Sequence, residues 1–82
     1  MMKARVYKKG NYKIIIWYRN NRPIKIVITD WEDMRGETYE LGLVPCPTKS
    51  TGVWLLPENE LEKLHRDIIS GAELLYETSI PN

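Results

Sequence analysis

The sequence predicts an α+β fold in which a four-stranded, twisted antiparallel sheet is followed by one C-terminal helix. Two runs rich in β-branched and aromatic residues, 12–19 and 24–31, flank Asn20-Asn21, which is the pattern of a hairpin. Downstream of Pro57, Leu61, Leu64, Ile68, Ala72 and Leu75 recur at helical spacing. The chain of 82 residues has room for one sheet and one helix but not for two cores.

Residues 3–9 alternate small or apolar with charged side chains, as an edge strand does, and Gly10-Asn11 supplies a turn. The second strand spans 12–19. Asn20 and Asn21 tolerate the left-handed backbone of a tight hairpin, and the third strand follows to Trp31. Asp33-Met34-Arg35-Gly36 reads as a turn and residues 38–44 as an extended arm. Pro45-Cys46-Pro47 then removes two backbone donors out of three. Residues 52–56 form the last, short strand. Pro57 opens the helix, where its missing N–H costs nothing, and Glu58 and Glu60 face the positive end of the dipole. Gly71 marks a kink or an early end. The domain spans 1–76, and 77–82 read as a short tail.

Such a small domain buries only about 60% of its unfolded surface, so its core is marginal alone. Cys46 is the only cysteine and His65 the only histidine, which excludes an intrachain disulfide and a zinc set. A partner chain is the remaining prop, and a homodimer is expected. No run reaches the roughly 18 apolar residues of a membrane span, and the N-terminus lacks a signal-peptide core. A cytoplasmic, nucleoid-associated protein is expected, nuclear if eukaryotic. The absence of Gln and the wealth of Ile, Lys and Glu fit a thermophile.

Charge is divided unevenly. Residues 1–29 hold eight basic side chains (Lys3, Arg5, Lys8, Lys9, Lys13, Arg19, Arg22, Lys25) and no acidic ones. Residues 30–82 hold four basic and eleven acidic, so the two parts carry +8 and −7. This division points to a first part that faces a polyanion. Strand alternation sorts the side chains further. Ile14, Ile16, Ile24, Ile26 and Ile28, with Ala4 and Val6, compose a core face for the helix stripe to cover. The opposite face collects Lys3, Arg5, Lys13, Arg19 and Lys25 with Tyr7, Trp17 and Trp31. Trp54 joins it if Val53 and Leu55 point inward, and Lys49 lies close by in sequence. Basic side chains neutralise phosphates while indoles stack on unpaired bases, at about 1–3 kcal/mol per base. Single-stranded DNA or RNA is therefore the expected ligand. The alternative is a protein-interaction module, viral or cellular, whose tryptophans are interface anchors.

The stretches 12–19, 24–31 (ending Ile28-Thr29-Asp30-Trp31) and Thr51-Gly52-Val53-Trp54-Leu55-Leu56-Pro57-Glu58-Asn59-Glu60-Leu61-Glu62-Lys63-Leu64 resemble the single-stranded-DNA-binding domain of the positive cofactor four family of transcriptional coactivators. The resemblance covers roughly residues 3–70. It implies four antiparallel strands and a helix, with two chains pairing through helix residues Leu61, Leu64, Ile68 and Leu75. It also implies binding of single-stranded DNA in contact with the transcription machinery, with Lys13, Arg19 and Trp31 in the binding strands. Thr51 stands where the family has lysine, with Lys49 nearby. Thr29 stands near an expected arginine, and Leu56 replaces a helix-capping serine.

No catalytic set is visible. His65 neighbours Arg66 and Asp67 but no nucleophile, and Asp30, Glu32 and Asp33 lack the glycine and final glutamate of a calcium loop. Neither enzymatic activity, a cofactor nor a metal is expected.

Overall fold

Four strands follow one another as spatial neighbours: β1 (Met2–Lys9), β2 (Tyr12–Arg19), β3 (Arg22–Asp30) and β4 (Gly36–Leu41). The computed structural model describes residues 1–81. Two-residue turns set the first two hairpins, with Lys9 opposite Tyr12 and Arg19 opposite Arg22. Asn20 and Asn21 both adopt positive φ, 51° and 65°, so this turn has the twist that a hairpin favours. Three further strands follow: β5 (Thr48–Ser50), β6 (Val53–Leu56) and β7 (Glu73–Ile80). β6 runs parallel to β4 and antiparallel to β5, and β7 returns to pair with β1. The result is one seven-stranded mixed sheet in the order β5-β6-β4-β3-β2-β1-β7, with a helix α1 (Glu58–Ile69) between β6 and β7.

This corrects the expected architecture. The sheet has seven strands rather than four, and the helix lies mid-chain rather than at the C-terminus. The extended arm is β4, paired on both sides. The helix stops because Gly71 takes φ +77°, the left-handed conformation that ends helices without a Cβ penalty. Ala72 and Leu75 continue the helical spacing of the sequence by coincidence. Leu75 belongs to β7, as does most of the expected tail. Of that tail only Asn82 lies outside the described residues.

α1 packs on one face of the sheet. Leu61 is fully buried and Ile68 nearly so, against Tyr7, Ile14, Ile16, Tyr18, Ile26 and Leu56. Burying each such aliphatic side chain stabilises by about 1.5–3 kcal/mol. Leu64, Ile69 and Ala72 pack at the margin of this cluster. Leu61 and Ile68, expected at a helix-to-helix dimer contact, are instead buried against the chain's own sheet, and Leu75 lies in β7. Both ends of α1 are tied to the hairpins. Arg22 Nη1 donates to Glu58 Oε1 at 2.7 Å, and Lys9 Nζ donates to the carbonyls of Asp67 and Ile68, each at 3.0 Å. An ammonium on the last carbonyls is favourable against the negative end of the helix dipole.

Candidate nucleic-acid interface

The ladder decides which side chains share a face, because residues directly opposite each other project to the same side. Trp17 pairs with Lys25 across β2–β3 and with Ala4 across β1–β2. Ile15 pairs with Val27 and with Val6, and Lys13 pairs with Thr29 and with Lys8. These residues, with Arg19 two positions beyond Trp17, make up the face away from α1. Their neighbours in β4 and β6 are Thr38, Glu40, Val53 and Leu55. Ala4 and Val6 lie between larger residues, Trp17 and Thr78 in one row and Ile15 and Tyr76 in the other.

Each tryptophan carries a lysine over its ring. Lys25 Nζ is 5.1 Å from the Trp17 centroid, Lys13 Nζ 5.6 Å from Trp31, and Lys49 Nζ 5.6 Å from Trp54. Such cation–π contacts contribute about 0.5–1 kcal/mol at exposed positions. They also hold indole and ammonium side by side. Trp31 is 47% exposed, just past the end of β3, and its backbone N–H donates to the Asn11 carbonyl at 2.9 Å. Asp30 fixes the turn beyond by accepting hydrogen bonds from the Glu32 and Asp33 amides. Two of the three pairs, Trp17–Lys25 and Trp31–Lys13, therefore share the helix-free face.

Five expected members of that face lie elsewhere. The Gly10-Asn11 turn puts Tyr7 opposite Ile14 and Arg5 opposite Ile16, so odd-numbered β1 residues face the helix side while Ala4 and Val6 do not. Tyr7 is a core residue. Lys3 and Arg5 converge on Glu77 of β7, at 3.3 and 3.1 Å, and Arg5 also lies over the Tyr18 ring at 5.1 Å. Trp54 pairs with Tyr39, opposite the core residue Ile26, and packs against the buried cluster. Lys49, opposite Trp54, goes with it to the far edge of the sheet on the helix side. Lys3, Arg5, Lys49 and Trp54 accordingly lie off the helix-free face, and Lys13, Trp17, Arg19, Lys25 and Trp31 remain on it, joined by Lys8.

The uneven charge division has a second physical account. Much of the basic N-terminal part is matched by the acidic remainder within the same chain: Lys3 and Arg5 with Glu77, Arg22 with Glu58, and Lys25 with Glu40 at 3.5 Å. Lys9 caps the helix. Among the described residues, Lys8, Lys13 and Arg19 make no ion pair and leave the helix-free face positive near the β1–β2 and β2–β3 turns. The Arg5 contact, and then that of Lys3, holds the Glu77 carboxylate below the usual carboxylate range.

On the helix side the Tyr18 hydroxyl joins His65 Nε2 at 2.7 Å and the Tyr7 hydroxyl at 3.5 Å. Burial raises Tyr18 above the ordinary tyrosine value, with Tyr7 adding to the shift. Burial also lowers His65, helped by the charges of Arg5 and Arg66. Tyr18 is thus held protonated and His65 neutral, a structural link from sheet to helix. The exposed Cys46 has no partner cysteine. Among the described residues no group of three or more His, Cys, Asp or Glu side chains is placed to share a metal ion. Nor is any helix among them long and apolar enough to cross a membrane. No family model, curated protein or solved structure matches the chain.

Proposed function

We propose that the protein binds single-stranded nucleic acid across the helix-free face of its sheet, using Lys13, Trp17, Arg19, Lys25 and Trp31. The observation that carries this reading is the placement of two lysine–tryptophan pairs on the face that the helix does not cover. The Lys13–Trp31 pair sets an unpaired charge beside a stacking platform, and Trp17 adds a second platform beside Lys25, whose charge is shared with Glu40. A duplex keeps its bases stacked on one another and leaves the indoles without a ligand surface. Phosphate and stacking contacts serve DNA and RNA alike, and DNA is our preferred ligand. An accessory role in transcription or replication, in the compartment that holds the nucleic acid, accompanies this reading.

A mobility-shift titration tests it. A single-stranded oligonucleotide is retarded at low salt, a duplex of the same sequence more weakly, and both less as salt rises, because binding releases counterions. Equal retardation of both forms contradicts the stacking mechanism. A second reading, a protein-interaction module, draws on the apolar residues Ile15, Val27, Val53 and Leu55, which project to the same side. The absence of any shift at low salt favours it.

A further inference from the structure

The two edges of the sheet differ in a way that concerns association. One edge is β5, three residues long and carrying Lys49, both of which discourage pairing with another strand. The other is β7, eight residues long, with no lysine, no arginine and no proline within it. Leu74, Leu75 and Tyr76 are all exposed there, Tyr76 to 56%. One side of β7 is paired with β1, and among the described residues the backbone groups on its other side have no strand to bond. A long strand with exposed apolar side chains in that position is a template for another strand.

We propose that β7 pairs antiparallel with β7 of a second copy of this chain, about a two-fold axis at Thr78. The choice of occupant and register rests on self-complementarity. The ladder with β1 is regular from Tyr76 to Ile80 and shifts register between Tyr76 and Leu74. A two-fold at Thr78 confines the new pairing to that regular stretch. It sets Tyr76 opposite Ile80 of the second copy, an aromatic and β-branched pair of the kind that stabilises sheets, and Thr78 opposite Thr78. Glu77 falls opposite Ser79, its charge already met by Lys3 and Arg5 of its own chain. Moving the axis to Glu77 opposes two carboxylates, and moving it to Tyr76 draws the irregular Leu74–Leu75 step into the ladder. The paired sheet is continuous across both copies, with both helices on one side and both helix-free faces on the other.

Sedimentation equilibrium of the intact chain is expected to give twice the monomer mass of 9.7 kDa. Thr78→Lys and Thr78→Glu each oppose like charges at the axis, and each is expected to weaken the dimer by more than about tenfold. An equimolar mixture of the two variants, whose charges are opposite, is expected to restore it. A wild-type chain that stays monomeric overturns the proposal, as does a dimer insensitive to both substitutions. Should either variant fail to fold, hydrogen exchange of the wild-type chain decides. Concentration-dependent protection of the β7 amides supports the pairing, and exchange independent of concentration overturns it.

Discussion

The Tyr18 hydroxyl lies 2.7 Å from Nε2 of His65, and the two rings meet edge to face with 5.3 Å between centroids. This contact ties the middle of the sheet to α1, and it makes stability depend on pH. His65 is lowered by burial and by the Arg5 and Arg66 charges, against a smaller opposing effect of Glu62. The folded chain therefore holds the proton less tightly than the unfolded one. Its contribution is complete above the unfolded histidine value of about 6.5 and is lost as pH falls from there through the lower folded value. Urea unfolding at a series of pH values is expected to show the midpoint falling across that interval, and His65→Gln is expected to flatten the fall. Tyr18→Phe removes the hydroxyl and is expected to cost about 1–2 kcal/mol near neutrality.

Gly71 ends the helix at φ +77° with open space where a Cβ would stand. Gly71→Ala therefore meets no clash, and its cost is that of a left-handed backbone alone, about 1 kcal/mol. Thermal unfolding measures this. An unchanged or raised midpoint indicates that the helix runs on through residue 71.

Thr51 occupies φ +47° in the turn between β5 and β6, a conformation that β-branched residues rarely adopt. Thr51→Asn keeps a polar side chain that tolerates this backbone and is expected to stabilise by about 0.5–1 kcal/mol. A denaturant midpoint that falls instead shows that the threonine side chain has a role beyond the turn.

The hairpin at Asn20-Asn21 was legible because both asparagines are left-handed formers between two β-rich runs. The helix start at Pro57 and its buried residues Leu61 and Ile68 were legible from spacing and from the acidic first turn. β7 was obscured by the way Ala72 and Leu75 extend the helical stripe, although Gly71 is a stop signal and Tyr76, Thr78 and Ile80 alternate as a strand does. The resemblance to a sheet followed by a terminal helix reinforced the same error. On β1 apolar character and register disagree, and register decides the faces. Lys9 opposite Tyr12, the pairing that a two-residue turn at Gly10-Asn11 imposes, was enough to put Tyr7 with Ile14 and Arg5 with Ile16. The parallel pairing of β4 with β6, which turns Trp54 toward the core, joins segments far apart in sequence and has no local signal.

The residues of the helix-free face differ from the set expected from sequence in a way that charge reversal detects. Lys13 shares the helix-free face with Trp31, whereas Lys49 lies at the opposite edge with Trp54 on the helix side. Quenching of tryptophan fluorescence by a single-stranded oligonucleotide, titrated at constant low salt, gives the affinity of each variant. Lys13→Glu is expected to weaken binding more than about tenfold, by removing a phosphate contact and adding a repulsive charge. Lys49→Glu is expected to change it less than about twofold. Equal losses for the two variants, or no quenching of the wild-type chain, contradict the assignment of nucleic-acid binding to the helix-free face.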